Sequence, residues 1–193
     1  MPPKRVAVFA SGSGSNAEKI AEYFANRTDI DITLILSNNP QAGVITRARR
    51  LHIPVVLFDR KTFYDTPKVI EILQNERIDL IVLAGFMMLV PEAMVRAFPN
   101  KIVNIHPALL PKYGGKGMYG HFVHEAVVAA QESASGISIH FVNERYDEGD
   151  IIFQATCPVT PEDTPDDVAR KVQVLEHQHY PAVVEKLLNA LNG

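Results

Sequence analysis

An asparagine and a histidine two residues apart, Asn104 and His106, and an aspartate further on, Asp147, are the residues of this sequence best equipped for chemistry. One is an amide donor, one an imidazole that can carry a proton near neutral pH, and one a carboxylate. Together they can run an acyl transfer without a nucleophilic serine or cysteine. The amide N–H and a protonated imidazole can donate to the oxygen of a tetrahedral intermediate, while the carboxylate raises the imidazole pKa and accepts or relays a proton. The same residues also fit a plainer reading, an Asn-His pair that only holds a loop, because histidines are often merely satisfied structural groups.

A second chemical stretch lies near the start, Ser11-Gly12-Ser13-Gly14-Ser15-Asn16-Ala17. It follows an apolar run and precedes a helical pattern carrying Ile20, Tyr23 and Phe24, so it reads as a strand, a Gly-Ser turn and a helix start. Glycines let backbone approach an anion, and the free N–H groups and dipole of a helix N-terminus favour phosphate there. The spacing Gly12-x-Gly14-x-x-Ala17 matches the dinucleotide fingerprint, which also wants an acidic side chain at the end of the second strand for the ribose. Here that strand ends in Ser37-Asn38-Asn39-Pro40, and Asp31 stands at its other end. A single phosphate is therefore favoured over a dinucleotide; a plain strand-to-helix turn also fits.

The elements that must position these groups follow from the apolar pattern. Residues 80–84 and 101–105 are short β-branched runs that read as neighbouring parallel strands buried on both faces. The second leads straight into His106-Pro107, where a parallel sheet opens its binding crevice. Residues 5–10, 32–36 and 54–58 are further strands, residues 44–51 a helix, and Thr66-Pro67 opens another with Pro at its first position. Residues 121–132 read as a helix, and residues 136–142 and 151–158 as strands. The short acidic turn at 143–150 makes those two an antiparallel pair. Thr164-Pro165-Asp166-Asp167 is a helix start, with Thr as cap and acids near the positive end, for a helix running to about 191. The expected fold is α/β: a single-domain, Rossmann-like three-layer structure with a mostly parallel, mixed central sheet.

Bulk properties narrow the function. At 193 residues with 47% hydrophobic content, the chain suits one domain with a real core. A net charge of -3 and a pI near 6.2 give no basic field for nucleic acid or an anionic membrane, so small-molecule partners are expected. No apolar run approaches a membrane span and no signal-peptide core follows the N-terminus, so a soluble, cytoplasmic protein is expected. Cys157 reads as a buried, inert thiol in a strand. The run Arg47, Arg49 and Arg50 reads most simply as a solvated face, and ordinary core is the plainer of two readings of Met87-Met88. Arg60 and Lys61 follow the third strand and could meet an anionic ligand. His121 with His124, and His177 with His179, lack the partners of a zinc signature, so no metal is expected.

The residues now assembled resemble the folate-dependent formyltransferases. The likeness runs through residues 10–16, Leu83-Ala84-Gly85-Phe86-Met87, Asn104-Ile105-His106-Pro107 to Tyr113, His140-Phe141-Val142, residues 147–154 and Glu176-His177. It implies transfer of formyl from 10-formyltetrahydrofolate to the amine of 5'-phosphoribosylglycinamide in purine (IMP) biosynthesis, with Asn104, His106 and Asp147 catalytic and no metal. It places the substrate phosphate and ribose on Gly14, Ser15, Asn16, Gln173 and Glu176. It places the folate against Met87, Met88, Leu89, Val90, Asn104, Phe141, Val142, Asn143 and Glu144. Some relatives carry Arg where this chain has Met88, which leaves Lys61 or Arg60 for the folate tail. The likeness also implies one formyltransferase domain over 1–193, with about 1–100 as the phosphate and substrate half and about 101–193 as the catalytic and folate half. It implies small-molecule substrates and a monomer or homodimer. The loop at 114–120 is longer and richer in glycine than in relatives with Pro-Gly there, as a mobile cover would be.

Three alternatives differ in what they demand. A formyltransferase acting on tRNA needs a second, basic domain, and a formyl-folate hydrolase usually carries an N-terminal regulatory domain; the length leaves no room expected for either. A non-catalytic phosphate or dinucleotide module explains neither the missing ribose acid nor the Asn-His-Asp trio.

Overall fold

The computed structural model describes residues 2–145 and 147–191. Among these residues the centre is a seven-stranded sheet in the order β3-β2-β1-β4-β5-β6-β7. The strands are β1 (Lys4–Phe9), β2 (Ile30–Ser37), β3 (Val55–Leu57), β4 (Leu80–Leu83), β5 (Ile102–His106), β6 (Ala134–Phe141) and β7 (Ile151–Pro158). β1 to β5 pair in parallel, and β6 alone runs against its neighbours. The mixed, mostly parallel sheet matches the sequence-based reading.

Alternation along each strand feeds two cores. Val6, Val8 and Ala10 pack with α1 (Ser15–Phe24), α2 (Gly43–Arg50), α6 (His121–Ala129) and α7 (Pro165–Ala190) on one face. Ala7 and Phe9 pack with Phe63, Leu73 and Met94, from α3 (Arg60–Asp65), α4 (Lys68–Asn75) and α5 (Glu92–Ala97), on the other. Residues buried on both faces of a parallel sheet need no polar alternation, which is why these strands read as unbroken apolar runs. The strand order reverses between β1 and β4, and the carboxyl ends of those strands and of β5 open the crevice expected at such a point.

Two stretches depart from the sequence pattern. Arg60 and Lys61 do not trail off a strand: they open the short helix α3, because the Asp59 side chain accepts the Thr62 N–H at 2.7 Å and caps it. Pro67 then takes the cap position of α4 and not its first turn. The arginine run on α2 is not simply a solvated face either. The Arg47 and Arg50 guanidinium groups pair with the buried Glu18 carboxylate on α1, and Arg47 Nε donates to the Ser13 carbonyl at 2.9 Å.

α7 has the cap its sequence announces. Thr164 and Asp167 satisfy each other's backbone in a capping box, with Pro165 opening the helix. Halfway along, the fully buried Tyr180 points its hydroxyl at the Leu83 carbonyl, 2.9 Å away, and the Val103 carbonyl, 3.3 Å away. That hydroxyl fastens α7 to β4 and β5 beneath the crevice.

Candidate active site

Side chains alternate along β5, so Asn104 and His106 leave on the face opposite Val103 and Ile105, which enter the α7-side core. The antiparallel register of β6 sets His140 opposite Asn104 and Ser138 opposite His106. His140 Nδ1 lies 2.8 Å from the Phe141 carbonyl, which can only accept, so Nδ1 carries a proton and Nε2 is the nitrogen turned toward Asn104 and Asp147. When the ring is neutral, Asn104 Nδ2 donates to that Nε2 at 3.1 Å. The contact fixes which way the amide points and leaves it a second N–H for the cleft. Ser138, with no exposed surface, donates to the Ala108 carbonyl at 2.7 Å and accepts from Leu110 N at 2.9 Å and Gln154 Nε2 at 2.8 Å. It thus shapes the loop that follows His106.

Asp147 reaches the same place from the turn between β6 and β7. A side chain at Gly149 would put its Cβ 1.7 Å from the Phe141 carbonyl oxygen, so only glycine lets this turn lie on the end of β6. The Asp147 carboxylate stands 3.5 Å from His106 Nδ1, 3.5 Å from His140 Nε2 and 3.0 Å from the Gly115 N–H, which donates to it. Burial opposes its charge, but the histidines and the Gly115 N–H outweigh burial and hold its pKa below the usual carboxylate value. His106 is 3% exposed and its Nε2 donates to the Tyr113 carbonyl at 2.7 Å. Its pKa lies below the ordinary histidine value, because burial outweighs the upward pull of Asp147 and Tyr113. This corrects the expectation of a raised imidazole pKa: the carboxylate pulls that way, and desolvation wins.

The Gly-Ser turn forms the far end of the same cleft, which encloses about 720 Å³. Gly14 caps α1 in the left-handed region at φ 77° with no side-chain cap, so the Asn16 and Ala17 amides keep their donors unspent, while the Ser15 N–H makes only a long 3.5 Å contact with Ser13 Oγ. A Cβ there would lie 2.5 Å from the Val44 side chain. Gln173 Nε2 donates to Ser15 Oγ at 3.3 Å, and Asn16 Nδ2 donates to a Glu176 carboxylate oxygen at 2.9 Å. Asn16 Oδ1 is buried without a partner, and burial pushes the Glu176 pKa up against the Asn16 hydrogen bond.

Gly14, Ser15, Asn16, Gln173, Glu176, Asn104, His106 and Asp147 all line this cleft, as do Met87, Met88, Leu89, Val90 and Val142. Phe141, Asn143, Glu144 and Lys61 are not among its lining residues. Phe141 packs into the α7-side core, and Lys61 is exposed on α3. Arg60, on the same helix, lies over the Tyr64 ring, 4.8 Å from its centroid. Met87 is 54% exposed, which corrects its reading as core. Tyr146, beside Asp147 in the acidic turn, lies outside the described residues. The sequence reading missed His140 and Ser138 as site residues, although their shared parity in β6, opposite that of Ile137 and Ile139, marks them. It also missed Arg145 and His124, both of which line the cleft. His124 is 6% exposed with an unpartnered Nδ1, and burial, then His121 and His106, push its pKa down to about 4.

Comparison with known proteins places the whole chain. The formyl transferase family model matches residues 4–184. The chain is similar to the phosphoribosylglycinamide formyltransferase of Bacillus subtilis, 37% identical over 194 residues, covering 98% of this chain and 97% of that protein. The chloroplastic enzyme of the same name from Arabidopsis thaliana is 41% identical over 187 residues, 94% of this chain. The chain spans 64% of that plant protein's length and 61% of its counterpart from Vigna unguiculata. Among solved structures, phosphoribosylglycinamide formyltransferase from Anaplasma phagocytophilum superposes with a TM-score of 0.88 at 34% identity, covering 97% of this chain and 88% of that one.

Proposed function

The chain belongs to the formyl transferase family, and from that premise we propose that it moves the formyl group of 10-formyltetrahydrofolate to the amine of 5'-phosphoribosylglycinamide, a step of purine biosynthesis. The observation that carries this reading is one cleft holding Asn104, His106 and Asp147 at one end and an uncapped, glycine-opened helix N-terminus at the other. A phosphate on the Gly14, Ser15 and Asn16 turn, with the ribose toward Gln173 and Glu176, would direct the amine at the chemical end. The folate would lie along Met87 to Val90 and Val142 and present its formyl carbon beside Asn104.

The chemistry asks for no metal and no covalent enzyme intermediate. The amine attacks the formyl carbon, and the oxygen takes up negative charge in a tetrahedral intermediate. The free Asn104 N–H and an N–H of His106 stabilise that oxygen, where each donor is worth about 10²-fold or more in rate. The C–N10 bond then breaks, and a proton passes from the attacking nitrogen to N10 by way of Asp147. Both His106 nitrogens face protein acceptors. One must exchange its partner for the substrate oxygen; in this reading the Tyr113 carbonyl, which leads into the glycine-rich 114–120 loop, gives way. The proposed enzyme works on small molecules in the cytoplasm as a monomer or homodimer; among the described residues no helix is long and apolar enough to cross a membrane.

The test is to incubate the protein with 10-formyltetrahydrofolate and follow its deformylation with and without glycinamide ribonucleotide. Turnover only with the ribonucleotide supports the proposal. Turnover without it identifies a hydrolase, and none in either case leaves a binding module.

A further inference from the structure

We propose that Ser11 is a positioning residue that sets the backbone of the folate-binding segment Met87 to Val90. The proposal deepens the formyl-folate reading and rests on it. Ser11 is 7% exposed and sits between β1 and the Gly-Ser turn. Its N–H donates to the Gly85 carbonyl at 3.0 Å, its Oγ accepts the Met87 N–H at 3.0 Å, and its hydroxyl proton goes to Asn38 Oδ1 at 2.6 Å. Asn39 Nδ2 returns to the Ser11 carbonyl at 3.3 Å. One serine therefore ties together the carboxyl ends of β1 and β2 and the loop after β4.

The segment it holds has two further anchors besides the packing of Met88 and the buried Val90 into the core on that face. The Phe86 ring lies 5.2 Å from Phe9 and 5.5 Å from Phe63, centroid to centroid, and anchors the segment from below. At the far end the Tyr64 hydroxyl donates to the Leu89 carbonyl at 2.9 Å. Among the described residues, the Met88 and Leu89 N–H groups donate to no protein acceptor. They are the groups a folate ring's acceptors can use, and their direction depends on where Ser11 and Tyr64 pin the chain on either side. A buried hydroxyl that gives its only proton to Asn38 must receive at Met87, so the contact has one polarity and one geometry.

Titrations of tetrahydrofolate and, separately, glycinamide ribonucleotide into the wild type, Ser11→Ala, Ser11→Thr and Tyr64→Phe test this, with steady-state kinetics alongside. Ser11→Ala should bind tetrahydrofolate about 10-fold more weakly, the effect of one lost hydrogen bond of this kind. Its KM for the formyl folate should rise to match, while kcat and ribonucleotide affinity stay within about 2-fold, and Ser11→Thr should recover most of the loss. Tyr64→Phe, which removes one hydroxyl from the opposite end, should show the same folate-only pattern even if the Ser11 variants fold poorly. Folate affinity unchanged in both Ser11→Ala and Tyr64→Phe overturns the inference, as does an equal loss for both ligands, which marks a general structural role. A wild type that does not bind tetrahydrofolate overturns the formyl-folate reading itself.

Discussion

His106 and Asp147 face each other across 3.5 Å, Nδ1 to Oδ2, while the other ring nitrogen of His106 is 2.7 Å from the Tyr113 carbonyl. A carbonyl only accepts, so Nε2 keeps its hydrogen in either charge state. The neutral ring therefore turns a bare Nδ1 toward the carboxylate, and the imidazolium turns an N–H toward it. Protonation suits the contact, and burial opposes it.

The balance gives a first prediction. Burial holds the His106 pKa below its ordinary 6.5, with Asp147 pulling upward. Removing that pull must lower it further. In Asp147→Asn the His106 ring should titrate at lower pH than in the wild type by NMR, and kcat should fall strongly because the proton relay is lost. Asp150→Asn is the control, since Asp150 is not among the residues lining the cleft. If Asp150→Asn carries the signature and Asp147→Asn does not, the carboxylate has been assigned to the wrong residue of the turn.

Asn104 supplies a second. Asn104→Ala should lower kcat by about 10²-fold, the usual worth of one oxyanion donor, and His106→Ala should do the same. Ribonucleotide affinity by calorimetry should hold, because the phosphate turn is at the other end of the cleft. His140→Phe keeps a ring but removes the acceptor that aims the amide, and should cost about 10-fold in kcat, or roughly 1.4 kcal/mol. Normal turnover in Asn104→Ala would make the Asn-His pair a loop support.

Gly14→Ala should damage the phosphate end and the fold together. The residue needs φ 77°, which disfavours any side chain, and the new Cβ would meet Val44 Cα at 2.6 Å as well as its side chain. Strain at one such position costs on the order of 1–3 kcal/mol. The variant should melt earlier and lose ribonucleotide affinity, whereas Gly12→Ala, with no atom within 4 Å of its Cβ, should do neither to the same extent. Equal melting temperatures for the two variants would contradict this account.

What the sequence made legible was whatever rests on periodicity and on adjacency. Unbroken apolar runs gave the doubly buried strands, and Thr164-Pro165-Asp166-Asp167 gave the start of α7. Asn104 and His106 stood out because they are adjacent on one strand face. Illegible were relations between distant segments: that Arg47 and Arg50 turn inward to a buried Glu18, and that Asn104 is aimed by a histidine 36 residues away. The helix α3 was missed because its cause is one Asp59 cap after a short strand, too local to appear as a period. The depressed His106 pKa was missed because desolvation depends on everything packed around a ring, whereas its carboxylate neighbour could be read from the chain.

A last prediction concerns His124, a ring on α6 that the proposed chemistry does not use. It is 6% exposed, its Nδ1 has no partner, and its pKa falls to about 4 from burial first and then from His121 and His106. The histidine of the unfolded chain titrates near 6.5. Between those two values the unfolded state binds a proton that the folded state refuses, so stability must fall as pH drops through this window. Above the upper value the contribution is constant. The gap of about 2.5 units corresponds to roughly 3 kcal/mol lost across the window. His124→Leu removes both the titration and the orphaned nitrogen. Urea unfolding at several pH values across the window should therefore show a visibly flatter acid-side decline for the variant than for the wild type. Other depressed groups, among them His106, His177 and the Asp147 carboxylate, retain the remaining slope. Parallel pH curves for the two proteins would mean that His124 takes up its proton in the folded state at little cost, and that the environment assigned to it is wrong.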